Sequence, residues 1–295
     1  MSCNLEEKQY LDLMKNIIEN GFMEEGRNGN TISTFGISLR FSLKDGKIPI
    51  MTTKKTAWKT CLKELLWFIS GNTNTKILQE QNVHIWDGNT TREFLDSRNL
   101  NDYPEGMMGP SYGYQWRYFG AKYDYSTGKP FKEENEGVDQ LQYIIEQLKN
   151  PKTRNSRRLI MTAWNPLQLN KMALPPCHIL CQFNVHNNNQ LSCSMYQRSN
   201  DECCGTPFNI ASYGLFLHLL AKEAGLKEGR LVGFLGDTHV YVNHLDGVKE
   251  QLSRKPFALP TIKTENFKSI FDWKYTDSKI ENYQHHPRIK FEIAV

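Results

Sequence analysis

Residues 177–199 read CHILCQFNVHNNNQLSCSMYQRS, and this segment has the pattern of a β-hairpin. Two runs with apolar and polar residues in near alternation flank three asparagines, a residue type that favours turns. Two further segments predict strands. They are SRRLIMTAWNP at 156–166 and RLVGFLGDTHVYVNH at 230–244, of which the second begins as a strand.

Helical spacing of apolar residues predicts helices between these strands. They cover an N-terminal segment ending at Gly21, then 58–71, 137–150 and 209–225. Since helices and strands mix without a βαβ rhythm, we expect an α+β fold. It would be a single domain, 1–295, built on a large mixed β-sheet flanked by helices. The polar, turn-rich segments 24–36 and 121–139 predict loops, the second a surface loop or insertion.

The composition is that of an ordinary globular chain, with 39% hydrophobic and 23% charged residues among 295. A net charge of +4 does not require a nucleic-acid partner. The N-terminal segment lacks the pattern of a signal peptide, and apolar runs such as LLWFI at 65–69 are too short for a bilayer. We therefore expect no membrane association and a cytoplasmic location, with the nucleus also possible.

The seven cysteines include no C-x-x-C pair, and no H-E-x-x-H occurs, so no metal and no disulfide framework are predicted. Free cysteines are usually buried, and we expect this for Cys181 and Cys193. Cys177 differs because two prolines precede it and His178 follows it. It is a candidate nucleophile, as in a cysteine protease with His178 as base. However, strand neighbours point to opposite faces, which disfavours that pair.

Four arginines are candidates for binding an anion. Arg157 and Arg158 lead into an apolar run, Arg198 and Ser199 lie in a strand-like run, and Arg27 lies in the polar loop 24–36. The alternative is a solvated surface. Because arginine in a strand needs a partner, and phosphate oxygens suit its planar guanidinium, one phosphate dianion is a fitting ligand.

Asn209 lies in DECCGTPFNIASY, residues 201–213, at the predicted start of a helix. It could simply cap that helix. Alternatively, its amide offers one donor and one acceptor, which matches the N3–H and O4 edge of uracil. Cytosine has the opposite pattern.

Nine motifs together resemble the thymidylate synthase family, in the family's order and from about Tyr10 to Val295. The motifs are RNGNTISTFG, ELLWFISG, HIWDGN, GPSYGYQWR, SRRLIMTAWNP, ALPPCHILCQF, YQRSNDECCGTPFNIASY, GDTHVYVNH and HPRIKFEIAV. The resemblance implies reductive methylation of dUMP to dTMP. The co-substrate would be 5,10-methylenetetrahydrofolate, which leaves as dihydrofolate, and Cys177 would add to C6 of the uracil.

The same resemblance assigns roles to residues. The implied catalytic set is Cys177, Glu64, Tyr112, Arg198, Asn209 and Asp201. The implied dUMP contacts are Arg27, Arg157, Arg158, His178, Arg198, Ser199, Asp201, Asn209, His239 and Tyr241. The implied folate contacts are Lys54, Ile85, Trp86, Asn89, Asp201, Cys204, Gly205, Phe208, Ala294 and Val295. The family is a homodimer in which Arg157 and Arg158 would reach the other subunit's phosphate site.

Two alternatives and two departures accompany this resemblance. The alternatives are a deoxycytidylate hydroxymethylase, which carries aspartate where this chain has Asn209, and an inactive relative used as an RNA-binding or scaffold protein. The Arg27 loop is one residue shorter than the family's common form. Cys204 stands where the family usually has leucine, and this predicts a roomier folate pocket.

Overall fold

The structure is a computed structural model that describes residues 4–26, 28–131, 137–186 and 189–292. The predictions for Arg27, Ala294 and Val295 lie outside these ranges. The same holds for 187–188 in the hairpin turn and for 132–136 in the segment 121–139.

A six-stranded mixed sheet is the centre of the molecule. Its strand order is β1-β2-β8-β7-β6-β5, and only β7 and β8 run parallel among the paired neighbours. The bounds are β1 Phe22–Gly26, β2 Gly29–Ser42, β5 Ile160–Thr162, β6 His178–His186, β7 Gln190–Asp201 and β8 Lys227–Tyr241. Two small hairpins pair β3 Tyr123–Asp124 with β4 Lys129–Pro130, and β9 Thr261–Thr264 with β10 Ser278–Glu281. The large mixed sheet is the one predicted.

Helices cover the sheet and connect its strands. The α-helices are α1 Leu5–Asn20, α2 Trp58–Ile69, α3 Lys76–Gln79, α4 Arg92–Ser97, α5 Gly113–Tyr118, α6 Gln140–Lys149, α7 Gly205–Ala224 and α8 Leu245–Leu252. Short 3₁₀ turns lie at Lys44–Gly46, Asp87–Asn89, Leu169–Lys171, Val242–His244 and Tyr275–Asp277. Within the described residues no helix is long and apolar enough to cross a bilayer.

Helix α7 is the main packing element on the sheet. It contacts α2, β7 and β8, and fourteen of its twenty residues are buried. It ends at Gly225, whose φ of 63° is a left-handed conformation that glycine adopts without strain. The helix begins at Gly205, so the N-cap interpretation of Asn209 is wrong: Asn209 lies in the second turn. Its side chain is therefore available for another partner.

Three other predictions about elements need correction. The segment 24–36 is not a loop, because most of its described residues belong to the antiparallel pair β1 and β2. The strand expected over 156–166 is only three residues long, Ile160–Thr162. The segment 121–139 is not wholly at the surface, since Ala121 and Tyr123 are buried with Tyr114. In each case tertiary packing decides what local composition did not.

Candidate active site

A cavity of about 420 Å³ opens where β6 begins and β7 ends, beside the first turns of α7. Its lining includes most of the predicted site residues: Glu64, Ile85, Trp86, Asn89, Tyr112, Cys177, His178, Arg198, Ser199, Asp201, Cys204, Gly205, Phe208, Asn209, His239 and Tyr241. These residues are up to 177 positions apart in sequence, from Glu64 to Tyr241. The fold thus brings them to one place.

Cys177 lies at the cavity wall, immediately before β6. Its backbone N–H donates to the Tyr112 hydroxyl at 2.9 Å, and its carbonyl accepts from the Arg198 N–H at 2.8 Å. Burial raises the pKa of the Cys177 thiol, while the nearby Arg198 guanidinium and the Tyr112 hydrogen bond oppose this effect. The site therefore holds a thiol beside the positive charge that favours its thiolate.

Arg198 is held on the strand pair by its own side chain. Its Nε donates to the Pro176 carbonyl at 2.9 Å, and one terminal nitrogen donates to the Pro175 carbonyl at 3.1 Å. The guanidinium also lies 5.6 Å from the centre of the Trp164 ring. Because a guanidinium has five N–H groups, these two bonds leave donors for a ligand. Arg198 consequently fixes the Cys177 segment and charges the cavity.

Tyr112 has the most unusual backbone in the site. Its φ of 37° and ψ of −101° are far from the conformations common for a non-glycine residue. Its ring stacks on Phe68, with ring centres 4.9 Å apart, and lies 4.5 Å from the ring of His178. Such strain persists only when the surroundings impose it, and here it positions the hydroxyl on Cys177.

Glu64 lies on α2 and is only 4% exposed. One of its carboxylate oxygens accepts a hydrogen bond from the Trp86 indole at 2.8 Å. Burial raises the pKa of the Glu64 carboxyl from 4.5 to about 8, and the Trp86 bond only partly offsets this. A carboxyl with such a pKa can give and take a proton near neutral pH.

His178 is not placed to act as a base for Cys177. Its Nδ1 is 3.0 Å from the Tyr213 hydroxyl, and its ring is packed between Tyr112 and Tyr213. Burial lowers the pKa of His178 to about 3, so the ring is neutral at physiological pH. The cysteine protease pairing of Cys177 with His178 therefore has no support in the structure.

The floor of the cavity is the turn from β7 into α7. Oδ1 of Asp201 accepts from the N–H groups of Cys203 at 2.8 Å and Cys204 at 3.1 Å. Asp201 thus ties down the turn that precedes the helix. On the adjacent strand, His239 Nδ1 lies 2.6 Å from Asp237 Oδ1, and its ring packs edge-on against Tyr241.

A second cavity, of about 700 Å³, shares Ile85, Cys204 and Phe208 with the first. Lys54 lines this second cavity and not the first. Its Nζ donates to the Cys203 carbonyl and lies 4.5 Å from the centre of the Phe291 ring. Burial lowers the pKa of Lys54, although neighbouring acidic groups oppose the change. The two cavities together can hold two ligands in contact.

Arg157 and Arg158 are not part of either cavity. Both are exposed just before β5, and the Arg157 carbonyl accepts from Gln182 at 3.1 Å. Conversely, the lining includes Asn28, Leu174 and Gln197, which the sequence interpretation missed. Gln197 is 1% exposed and its Oε1 has no hydrogen-bond partner among the described residues. The alternation of β7, which places Gln197 two residues before Ser199, was the available signal.

A family model described as thymidylate synthase matches residues 8–295. The chain belongs to this family. Thymidylate synthase of Ascaris suum is 49% identical over 100% of this chain and 99% of its own length, and that of Homo sapiens is 48% identical over 98% and 91%. The bifunctional dihydrofolate reductase-thymidylate synthase of Leishmania major is 50% identical over 99% of this chain. The chain spans 56% of that relative.

Membership of the thymidylate synthase family confirms the resemblance drawn from the nine motifs. The fold class is confirmed as well, because the six-stranded mixed sheet with flanking helices is the α+β arrangement expected from the pattern of helices and strands. The roles assigned to single residues stay predictions. Their common location around Cys177 is the structural observation on which those roles can now be argued.

Proposed function

We propose that this chain catalyses the reductive methylation of dUMP to dTMP, with 5,10-methylenetetrahydrofolate as co-substrate. The observation that carries the proposal is the location of the Cys177 thiol. It lines a cavity that also contains a guanidinium, a carboxyl with a raised pKa and an amide, from Arg198, Glu64 and Asn209. This is the set that addition to a uracil ring needs.

Cys177 is the nucleophile that adds to C6 of the uracil. The addition makes C5 electron-rich, so that one hard substitution becomes two easier steps. Arg198 favours the thiolate by its charge and holds the Pro175–Pro176 backbone through two hydrogen bonds. Tyr112, fixed by its bond from the Cys177 N–H, lies where it can help to remove the proton from C5.

Glu64 carries protons between the uracil O4 region and ordered water. Since the pKa of Glu64 is raised to about 8 by burial, the carboxyl is mostly protonated at neutral pH and can donate to an oxygen that gains negative charge. The Trp86 indole, which donates to Glu64 at 2.8 Å, keeps the carboxyl in place.

Asn209 selects uracil over cytosine. The helix begins four residues before it, so the amide is not used as a cap, and it lines the cavity with Asp201 and Gly205. An amide can accept from N3–H and donate to O4, whereas the cytosine edge presents the reverse pattern. The sugar is held by His239 and Tyr241, and the phosphate by Arg198, Ser199 and Arg27.

The folate occupies the larger cavity, against the walls it shares with the first. It supplies the one-carbon unit and the hydride, and it leaves as dihydrofolate. Phe208, Ile85 and Trp86 provide apolar surface for its ring, and Lys54 lies where an acidic tail would run. Ala294 and Val295 would close over both ligands and exclude water.

The chain acts as a homodimer of single catalytic domains that meet through their sheets. The face of the sheet away from α7 carries three neighbouring apolar side chains on three strands. Tyr196 on β7 is paired with Phe234 on β8 and with Leu180 on β6. Phe234 is 45% exposed and Leu180 is 36% exposed. Ile160, 44% exposed, extends this apolar face next to Arg157 and Arg158. A second copy covers this face, and brings its two arginines to the phosphate.

The six cysteines of the described residues are all free thiols. This is the state expected in a reducing compartment, and it supports a cytoplasmic location.

The activity is tested by mixing the chain with dUMP and 5,10-methylenetetrahydrofolate and following dihydrofolate by its absorbance. The Cys177→Ser variant should have no turnover and should still bind dUMP. Cys181 is a buried thiol outside the cavity, so the Cys181→Ser variant should keep its turnover. Turnover by Cys177→Ser at the normal rate would refute the mechanism. Consumption of dCMP in place of dUMP would refute the role of Asn209.

The shared site is tested by mixing two inactive variants. Cys177→Ser lacks the nucleophile, and Arg158→Ala with Arg157→Ala lacks the partner's contribution to the phosphate site. Subunit exchange should restore activity, because one of the two sites in each mixed dimer is then complete. A mixture that dimerises by sedimentation but stays inactive would refute the sharing of arginines.

A further inference from the structure

Three side chains beside the cavity wall form a cluster, and of these only Asp201 has a role in the chemistry described above. They are Asp201, Cys203 and His244, and each offers one ligand atom within 4.8 Å of the ligand atoms of the other two. Cys203 is 1% exposed and His244 is 3% exposed. The cluster joins the turn before α7 to the 3₁₀ turn after β8, so no local sequence motif contains it.

His244 has the arrangement of a metal-binding imidazole. Its Nε2 lies 2.9 Å from the Glu292 carbonyl, which can only accept, so Nε2 carries the hydrogen. The other nitrogen, Nδ1, is buried and has no hydrogen-bond partner among the described residues. Histidines that bind metals usually donate their second N–H to a carbonyl or carboxylate in this way, which directs the free lone pair at the ion.

Asp201 is also held in place by a second set of contacts. Its Oδ1 accepts the N–H groups of Cys203 at 2.8 Å and Cys204 at 3.1 Å. A carboxylate has several lone pairs on two oxygens, so it can accept these two hydrogen bonds and bind a cation at the same time. Hydrogen-bonded carboxylates are common metal ligands for the same reason.

We propose that Asp201, Cys203 and His244 bind Zn²⁺ or a similar thiophilic divalent cation. Sulfur, nitrogen and oxygen from three residues are a donor set that zinc accepts, and a fourth position stays open for water or a ligand. Zinc bond lengths of about 2.0–2.3 Å put tetrahedral ligand atoms roughly 3.3–3.7 Å apart. The present separations of up to 4.8 Å therefore need a closure of about 1 Å, within the reach of side-chain rotation.

The ion would lie between the two cavities. Asp201 lines the smaller cavity and Cys203 lines the larger one. A bound cation would draw Asp201 and the turn before α7 toward His244, away from the positions that the ligands need. We therefore expect the cation to inhibit the enzyme. This inhibition rests on the proposed function, whereas the binding of the cation is independent of it.

Cobalt(II) alone is the probe, because it replaces zinc and reports thiolate ligation by a charge-transfer absorption band. The full chain is titrated with Co²⁺, and Zn²⁺ is then added to displace it. Cys203→Ser removes one ligand with little change in volume, and Cys204→Ser is the matched control for the adjacent thiol. Loss of one outer-shell partner lowers metal affinity about 10–100-fold, so loss of the Cys203 ligand should weaken binding by at least about 100-fold.

Binding with a thiolate band that Cys203→Ser removes and Cys204→Ser keeps is the expected result. No thiolate band at saturating Co²⁺, or a band unchanged by Cys203→Ser, would overturn the proposal. The melting temperature of each variant without metal separates lost binding from lost folding. Lys54→Met gives a second test if Cys203→Ser does not fold. Removing the ammonium that donates to the Cys203 carbonyl should tighten Co²⁺ binding, and weaker binding would count against the site.

If the metal binds but dihydrofolate formation is unaffected by Zn²⁺, the site stands and the inhibitory effect is wrong. If the chain forms no dihydrofolate under any condition, the proposed function fails, and the cobalt titration still decides the site.

Discussion

Replacing Glu64 with glutamine should stabilise the protein at alkaline pH and remove most of its activity. The Glu64 side chain is 4% exposed, and burial raises the pKa of its carboxyl from 4.5 to about 8. Glutamine keeps an oxygen that can accept the Trp86 N–H and cannot ionise. The substitution therefore removes the ionisable group and keeps the hydrogen bond from Trp86 that holds the side chain.

The magnitude follows from the pKa difference between the folded and unfolded states. Between about pH 4.5 and 8 the unfolded chain has lost this proton while the folded chain keeps it, so the free energy of unfolding falls as pH rises. Below the pKa of the unfolded state, Glu64 does not destabilise the folded protein by ionising. Above the pKa of the folded state, the full loss of stability is present. A difference of this size corresponds to about 5 kcal/mol, at about 1.4 kcal/mol per pKa unit.

Urea unfolding at several pH values between 5 and 9 measures this effect. Glu202→Gln is the matched control, because burial also raises the pKa of Glu202 to about 8, and Glu202 does not line the smaller cavity. Both variants should lose part of the decline in stability with pH. Only Glu64→Gln should also abolish the alkaline limb of the kcat profile, which reports the group that donates a proton.

The outcome that would contradict this reasoning is specific. If Glu64→Gln shows the same decline in stability between pH 5 and 8 as the unaltered protein, the Glu64 carboxyl does not hold a proton in the folded state. If stability changes as expected but the pH profile of kcat keeps its alkaline limb, the pKa of the Glu64 carboxyl is raised by burial but Glu64 is not the proton donor.

Four further changes test other parts of the site and core. Arg198→Met should raise the pKa of the Cys177 thiol further, seen as slower alkylation of Cys177 at a fixed alkaline pH than in the unaltered protein. Tyr112→Phe removes the acceptor of the Cys177 N–H, and should lower the free energy of unfolding by about 1–3 kcal/mol as well as kcat. Phe183→Ala, at a fully buried position of β6, should lower the free energy of unfolding by about 3–5 kcal/mol in urea titrations. Cys204→Leu should tighten binding of small antifolates relative to large ones, and affinities unchanged by the substitution for antifolates of both sizes would reject the roomier pocket.

Much of the fold could be predicted because its main elements carry strong periodic patterns. The β6–β7 hairpin, α2 and α6 all lie where the spacing of apolar residues indicates. Strand β2 was not predicted, because its first half contains glycine, asparagine and threonine that are typical of turns. Its pairing with β8 over eleven residue pairs stabilises it, and such long-range pairing is not visible in local composition.

Most residues that line the cavity could be named from the sequence, but the contacts that set their geometry could not. The motif around Cys177 predicted a nucleophile at a position where the thiol does line the cavity. Burial raises the pKa of Glu64, and the hydrogen bond from Trp86, which is 22 residues away in sequence, partly offsets the rise. The backbone of Tyr112 is equally hidden, since nothing in GPSYG indicates a φ of 37°. Burial and strain are properties of the packed molecule, so a linear pattern identifies the residues and leaves their chemistry open.

The turn between β7 and α7 shows why one residue can serve structure and chemistry together. Helix α7 starts after Cys204, and the backbone N–H groups of the turn residues Cys203 and Cys204 need an acceptor outside the helix. Asp201 supplies it, and the same two bonds hold its carboxylate at the cavity wall. A carboxylate that already accepts two backbone hydrogen bonds is oriented before any ligand arrives, and this preorganisation is what a binding site requires. The departure from the family at Cys204 changes the side chains that this turn presents, while the backbone bonds to Asp201 keep its course.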